Sequence, residues 1–168
     1  VMAGYMGLIK QIDDNLGRLF EFLEKKGNMK NTMIVFTSDH GDYLGDHWLG
    51  DKELFHEQIV RVPMIIFDPR ESANKTRGKK EKRFVEAIDL LPTFLDAVES
   101  PESKHRLEGN SLMPIINGNK LKKWKDAVFS EIDYSFNQAR QYFSWSNLQK
   151  ISNTIFYHIF YTFFPSNS

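Results

Sequence analysis

The chain has 168 residues, a formal net charge of zero and no cysteine. That length buries one full domain core or part of a larger one; neutrality argues against a nucleic-acid binder whose affinity rests on neutralising phosphates, and the missing cysteines exclude disulfides, zinc–thiolate centres and cysteine nucleophiles within it. With 41% hydrophobic and 14% aromatic residues, the composition is that of a folded chain rather than a disordered one.

From the amino end, Leu8, Ile12, Leu16, Leu19 and Leu23 recur at helical spacing with Ile9 and Phe20 beside them. Glu21, Glu24, Lys25 and Lys26 fall mostly off that stripe, which predicts an amphipathic helix ended at Gly27 by a left-handed cap. Val1 is not an initiator and runs straight into this pattern, so the chain is expected to begin inside a larger protein. Met33-Ile34-Val35-Phe36 is a short unbroken apolar run and reads as a strand buried on both faces.

A polar loop follows, Thr37-Ser38-Asp39-His40-Gly41-Asp42 and then Tyr43 to Lys52. It emerges at a strand end, where open α/β sheets hold their ligands, and two adjacent ligands on one strand imply others elsewhere. Asp39 and His40 offer a carboxylate and an imidazole side by side, Gly41 lets the backbone turn sharply, and Lys52 returns a flexible cation. The donor pair suits manganese, calcium, zinc or iron rather than a soft copper site. A metal-and-anion loop is one reading of these residues; a turn with a satisfied histidine and an ordinary surface lysine is the other.

Further on, Glu53 to Ile59 is expected to form a short helix and Val62 to Phe67 a second buried strand, with proline tolerated near its start and Asp68-Pro69 turning the chain away. Glu71 to Arg83 carries Lys75, Arg77, Lys79, Lys80, Lys82 and Arg83 around Gly78, and in a neutral chain it reads as a solvated loop in preference to an anion-binding patch. Asp89 stands as the N-cap of a helix of about ten residues with Pro92 in its first turn and Leu91, Phe94, Leu95 and Val98 as its apolar face. Gly109, Pro114 and Gly118 punctuate a loop, and Ala127-Val128-Phe129 predicts a strand before Glu131. Alternating helix, strand, loop, strand and helix is the grammar of an α/β sheet covered by helices. Ile151 to Ser168 contains no Asp, Glu, Lys or Arg and is too interrupted for a membrane span, which needs about 20 mainly apolar residues; a misread, out-of-frame or truncated tail accounts for it as well as a functional segment does.

Four stretches now carry a resemblance: Thr32 to Asp42 with Leu44-Gly45-Asp46-His47 and Lys52, Arg61 to Ile66, Asp89 to Leu95, and Leu107 to Pro114. In this order they resemble the C-terminal part of a sulfatase-type hydrolase of the alkaline phosphatase superfamily, from Tyr5 to about Arg140. The resemblance implies an alkaline-phosphatase-like α/β sheet flanked by helices, present in part and without its N-terminal half. Residues 1–140 would be the C-terminal portion of that hydrolase domain and 141–168 the atypical tail.

It further implies metal-dependent hydrolysis of small-molecule sulfate, phosphate or phosphonate esters. Asp39 and His40 match the positions that hold the divalent metal, manganese or calcium first, with zinc or iron as alternatives, and Lys52 matches the lysine on the oxygens of the transferred group. Many calcium sulfatases carry Asp-Asn at this pair, whereas Asp-His resembles phosphonate monoester hydrolases and several related enzymes, which tilts the expectation toward a phosphonate or phosphate ester and a manganese-like metal. The family's nucleophile, a formylglycine formed in a Cys/Ser-x-Pro/Ala-x-Arg motif or an unmodified Ser or Thr, lies near the N-terminus; nothing here matches it, and the chain alone is expected not to turn over substrate.

Among the other polar residues, His47 is a candidate for a catalytic role or for bracing the turn. Asp42 and Asp46 are candidate acceptors for fixing the histidine tautomer, Asp51 and Glu53 read as solvated or capping groups, and His56, His105 and His158 have no companion motif and are assigned no chemistry. No nucleic-acid or membrane partner is expected, a homo-oligomer stays open, and localisation is not fixed, with a slight lean toward the cytoplasm. The alternative function class is a non-catalytic α/β interaction module that keeps the hydrolase scaffold.

Overall fold

The computed structural model describes residues 2–52, 54–100, 107–130 and the backbone of 158–159. Its first element, α1 (Met2–Lys25), follows the predicted helical stripe and ends where expected. Gly27 takes φ of 70°, its N–H bonds the Glu24 carbonyl at 2.9 Å, and the Asn28 N–H reaches back to the Leu23 carbonyl at 2.9 Å, so the orphan carbonyls of the last turn are closed by a Schellman motif. The stripe itself is not covered by the described residues: no residue of α1 is buried, and Leu8, Ile12 and Leu19 are exposed.

The sheet begins with β1 (Ile34–Thr37) and β2 (Met64–Phe67), which pair antiparallel in the register Ile34 to Phe67 and Thr37 to Met64. Among the described residues two short strands extend it, β3 (Lys80–Glu81) and β4 (His158–Ile159), in the order β1-β2-β4-β3. The expectation that the first strand is buried on both faces is corrected: β1 lies at the sheet margin and is half-buried throughout. β2 carries the core instead, with alternate residues Met64 and Ile66 buried, as the two-residue period of a strand requires.

Against those two side chains pack Ala73, Val85, Leu112, Met113, Ile115, Ile116 and Val128 in one cluster, with Trp124 and Phe84 at its margin. Much of this core comes from a segment read as a loop. Met113–Ile116 forms a helical turn, α4, with proline in its first turn, and Gly118 follows at φ of 68°. The expected helix near Glu53 shrinks to the single turn α2 (Glu57–Val60). The basic segment holds a 3₁₀ turn over Glu71–Lys75, and its arginines serve the fold: Arg77 bonds the Asp68 carbonyl at 2.8 Å and lies 5.7 Å from the Phe67 ring, while Arg83 pairs with Glu81 at 2.9 Å. Asp68, buried and next to that turn, is gripped bidentately by Arg70, whose other nitrogen donates to the Ala97 carbonyl. Ala127 to Phe129 forms no strand; Val128 fills the core while Phe129 faces outward. Glu131, His105 and the tail beyond Ser130, apart from the backbone of 158–159, lie outside the described residues.

The largest departure concerns Asp89 and α3 (Leu90–Ala97). Asp89 does not cap that helix: it is helical in φ and ψ, and its carboxylate is wholly buried. Oδ1 accepts from the Asn110 N–H and Lys125 Nζ, both at 2.8 Å, and Oδ2 accepts from the Glu86 N–H at 2.9 Å and again from Lys125. Glu86 completes the knot by accepting from Lys125 at 2.7 Å and from the Phe129 N–H at 2.9 Å. One turn on, the Thr93 hydroxyl donates to the Asp89 carbonyl and accepts the Leu112 N–H at 2.8 Å. Buried polar groups must be satisfied, and this requirement turns α3 so that Pro92 and Thr93 face inward while Leu91, Phe94 and Val98 are exposed. The apolar face assigned from spacing is therefore the outer one.

A buried carboxylate that loses its cation is left uncompensated even when backbone donors remain. Lys125→Met is expected to lower stability by about 3 kcal/mol in urea denaturation, whereas Lys10→Ala, which removes an exposed pair with Asp14, is expected to leave the urea midpoint in place.

Candidate functional site

The polar loop leaves β1 at Thr37, and its first residues are shaped by Gly41. The Gly41 N–H bonds the Ile59 carbonyl at 2.8 Å, pressing the backbone so closely on α2 that a Cβ at this position would sit 1.8 Å from the Gln58 carbonyl oxygen. Only glycine permits that approach. Immediately before it, the Ser38 hydroxyl donates to the His40 carbonyl at 2.7 Å, and the His40 N–H donates to Asp39 Oδ1 at 2.9 Å. That N–H, helped by the neighbouring imidazole, holds the exposed Asp39 carboxyl below its ordinary value.

His40 is oriented by the same turn. Its Nδ1 lies 2.8 Å from the Gly41 carbonyl, which can only accept, so Nδ1 carries the proton and Nε2 presents its lone pair. Nε2 faces Asp39 Oδ2 at 3.3 Å and accepts from Lys52 Nζ at 2.6 Å. The three groups singled out in the sequence, Asp39, His40 and Lys52, thus meet at one point. With ligand distances of roughly 2.1–2.4 Å, two donors 3.3 Å apart subtend roughly 85–105° at a shared cation. A carboxylate oxygen and a neutral imidazole nitrogen so placed fit a divalent metal as a partial ligand set; no further His, Asp or Glu among the described residues joins them in a group of three or more.

The other expectations fare differently. Asp42 and Asp46 do not fix the histidine tautomer, which the Gly41 carbonyl does. Asp42 Oδ1 accepts the Leu44 N–H at 2.8 Å, an Asx turn, and Asp46 accepts from Gln58 Nε2 at 3.1 Å. His47 stacks on His56 with ring centroids 4.4 Å apart and stands edge-on to Tyr43 at 6.1 Å. Tyr43, buried at the base of the loop, shares a 2.8 Å hydrogen bond with His56 Nδ1. Sequence reasoning passed over Tyr43 and His56; the only signal for them was three aromatic or imidazole residues bracketing Lys52.

Between that bracket the backbone is strained. Leu44, His47, Trp48 and Asp51 all have φ between 49° and 61°, a conformation that costs L-residues roughly 1–2 kcal/mol each. The Asp51 carbonyl, one residue before Lys52, accepts the Tyr43 N–H at 3.1 Å and closes the loop.

A groove of about 670 Å³ runs beside this turn. Thr37, Ser38, Asp39, Glu86, Asn110 and Lys125 are among its polar lining, with apolar side chains such as Met64 and Val128 beside them. Asp39 is shared between groove and loop.

Against known proteins, the model of the sulfatase family matches residues 1–100. The multifunctional alkaline phosphatase superfamily protein PehA of Trinickia caryophylli is 39% identical over 132 residues, covering 79% of this chain and 25% of that protein. An N-acetylglucosamine-6-O-sulfatase of Bacteroides thetaiotaomicron is 37% identical over 76% of this chain and 23% of its own length. The crystal structure of a phosphonate monoester hydrolase of Agrobacterium radiobacter superposes with a TM-score of 0.69 at 33% identity, over 77% of this chain and 25% of that one. The chain spans about a quarter of the length of these relatives.

The turn depends on the close approach at Gly41. Gly41→Ala is expected to destabilise the fold by about 3 kcal/mol and to separate His40 from Lys52, whereas Gly50→Ala, with open space around the new methyl, shifts stability by no more than about 0.5 kcal/mol; thermal unfolding of the two variants provides the measurement.

Proposed function

The chain belongs to the sulfatase family of the alkaline phosphatase superfamily, and from that premise we propose that it forms part of a divalent-metal-dependent hydrolase of small-molecule sulfate, phosphate or phosphonate esters. Its relatives are named as sulfatases and as a phosphonate monoester hydrolase. On this reading residues 1–140 are the C-terminal portion of the hydrolase domain and 141–168 an atypical tail, of which the backbone of His158–Ile159 pairs with β2 and β3. Asp39 and His40 hold the metal, manganese or calcium, and Lys52 binds the oxygens of the transferred group. The observation that carries the reading is the meeting of Asp39 Oδ2, His40 Nε2 and Lys52 Nζ in one place, with Nε2 3.3 Å from the carboxylate and 2.6 Å from the ammonium that a cation bound to Nε2 would displace.

Each residue has a definite task. The His40 N–H stabilises the Asp39 carboxylate and lowers its pKa from the ordinary value, so a hard anionic oxygen is ready for a cation. His40, with its proton committed to the Gly41 carbonyl, offers a neutral nitrogen. When bound, the metal supplies Lewis-acid polarisation of the ester oxygen. Lys52 brings a compact, mobile ammonium on a four-carbon stem, suited to neutralising charge on a tetrahedral group as its ester bond breaks. Asp-His in place of Asp-Asn favours a phosphonate or phosphate ester over a sulfate.

His47, stacked on His56, is assigned to bracing the loop rather than to the reacting atoms.

Titration of the chain with Mn²⁺ tests the assignment. Asp39→Ala and His40→Ala are each expected to weaken Mn²⁺ binding by at least about tenfold, and Lys52→Ala to leave Mn²⁺ affinity undiminished while removing the affinity of the Mn²⁺-loaded chain for inorganic phosphate. Equal Mn²⁺ affinity across all three variants refutes it.

A further inference from the structure

Lys52 is the mobile member of the site: its side chain is long, its residue is exposed, and it ends a loop with four non-glycine residues in the left-handed region. Strained backbone of this kind persists only where its surroundings over-determine it. Most of the loop's other restraints are local backbone bonds, Asp46 to the Tyr43 carbonyl, Trp48 to Gly45 and Leu49 to Asp46. Among the described residues, two side-chain contacts reach outside it from its interior. Asp46 accepts from Gln58, and the ring of His47 lies on the ring of His56, 19° from parallel. His56 also holds the Tyr43 hydroxyl, and the Tyr43 backbone holds the carbonyl that precedes Lys52.

We propose that His56 is a positioning residue for Lys52: by gripping Tyr43 and His47 together, it fixes the strained loop that sets Lys52 Nζ against His40 Nε2. The chain of contacts is continuous, from the His56 Nδ1–Tyr43 Oη bond through the Tyr43 N–H–Asp51 carbonyl bond to the residue that follows. It also starts from a fixed point. The His56 carbonyl accepts the N–H groups of Ile59 and Val60 at the head of α2, and Ile59 anchors Gly41, so the turn that orients His40 and the loop that delivers Lys52 hang from one short segment, His56 to Val60. The inference takes from the proposed function the importance of Lys52 to the anion, but its own claim concerns where Lys52 stands.

That claim is read directly from the ¹⁵N resonance of His40 Nε2 in the full 168-residue chain, since an imidazole nitrogen reports whether it accepts a hydrogen bond. Lys52→Ala calibrates the loss of the bond. His56→Ala and Tyr43→Phe are expected to move the resonance in the same direction and by most of the same extent, and His56→Asn, which keeps a polar atom for the Tyr43 hydroxyl, to recover part of it. Tyr43→Phe retains the buried ring, so it keeps the test usable if His56→Ala folds poorly. Ile66→Ala, which weakens the core far from the loop, is expected to leave the resonance in place.

A His40 Nε2 signal unchanged in both His56→Ala and Tyr43→Phe overturns the proposal, and so does an equal displacement by Ile66→Ala, which would make His56 one structural residue among many. Inorganic phosphate binding by the Mn²⁺-loaded chain then separates the two readings. If the resonance responds as expected while phosphate affinity is indifferent to Lys52→Ala, the positioning role stands and the anion role of Lys52 falls.

Discussion

A carboxylate with no access to water cannot stand alone, and the fold is organised around meeting that demand at Asp89. Its two oxygens collect a lysine and two backbone N–H groups from three separate stretches of chain. Those stretches contribute little regular structure of their own. Glu86 precedes a 3₁₀ turn, Asn110 lies in a loop, and Lys125 lies where no helix or strand is formed. What replaces secondary structure as the reason for their positions is electrostatic satisfaction. The same junction sets the rotation of α3, because Thr93 is bonded to the Asp89 carbonyl and to the Leu112 N–H on the inner side. It also contributes Glu86, Asn110 and Lys125 to the groove that Asp39 lines.

In the polar loop the determining interaction is steric. Gly41 lets the loop backbone touch α2 where a side chain would collide, and this contact places a carbonyl against His40 Nδ1 and frees Nε2. The metal-binding chemistry proposed for the site therefore rests on a glycine and a carbonyl as much as on the ligands. Fixing the tautomer by a backbone acceptor is a common arrangement around metal-binding imidazoles. Here the acceptor belongs to the very next residue, so the orientation of the ring is built into the turn.

How much of this could be read beforehand depended on sequence distance. The Asp39–His40 pair and Lys52 are legible because all three lie on one loop after one apolar strand, and spacing along a loop approximates spacing in space. The Schellman ending at Gly27 is legible for the same reason. Asp89 was misread because an aspartate before a helical run has the local signature of an N-cap, whereas its true partner is 36 residues away and carries no motif. The outward face of α3 was misread because periodicity identifies an apolar stripe without saying what covers it. In α1 and α3 alike, the described residues leave that stripe exposed, and the chain spans only about a quarter of the length of its relatives. His56 escaped notice because its meaning comes from Tyr43, thirteen positions earlier, and from a ring stack that no spacing rule encodes.

The left-handed run between Leu44 and Asp51 has a further consequence for motion. Residues held in that region store free energy that is released when the segment opens, so this loop is expected to open more readily than the buried Asp89 junction. The candidate site thus draws on two kinds of backbone: Asp39 and His40 follow directly on β1, and Lys52 ends the left-handed run. The ligand contact proposed for Lys52 would be made from the second.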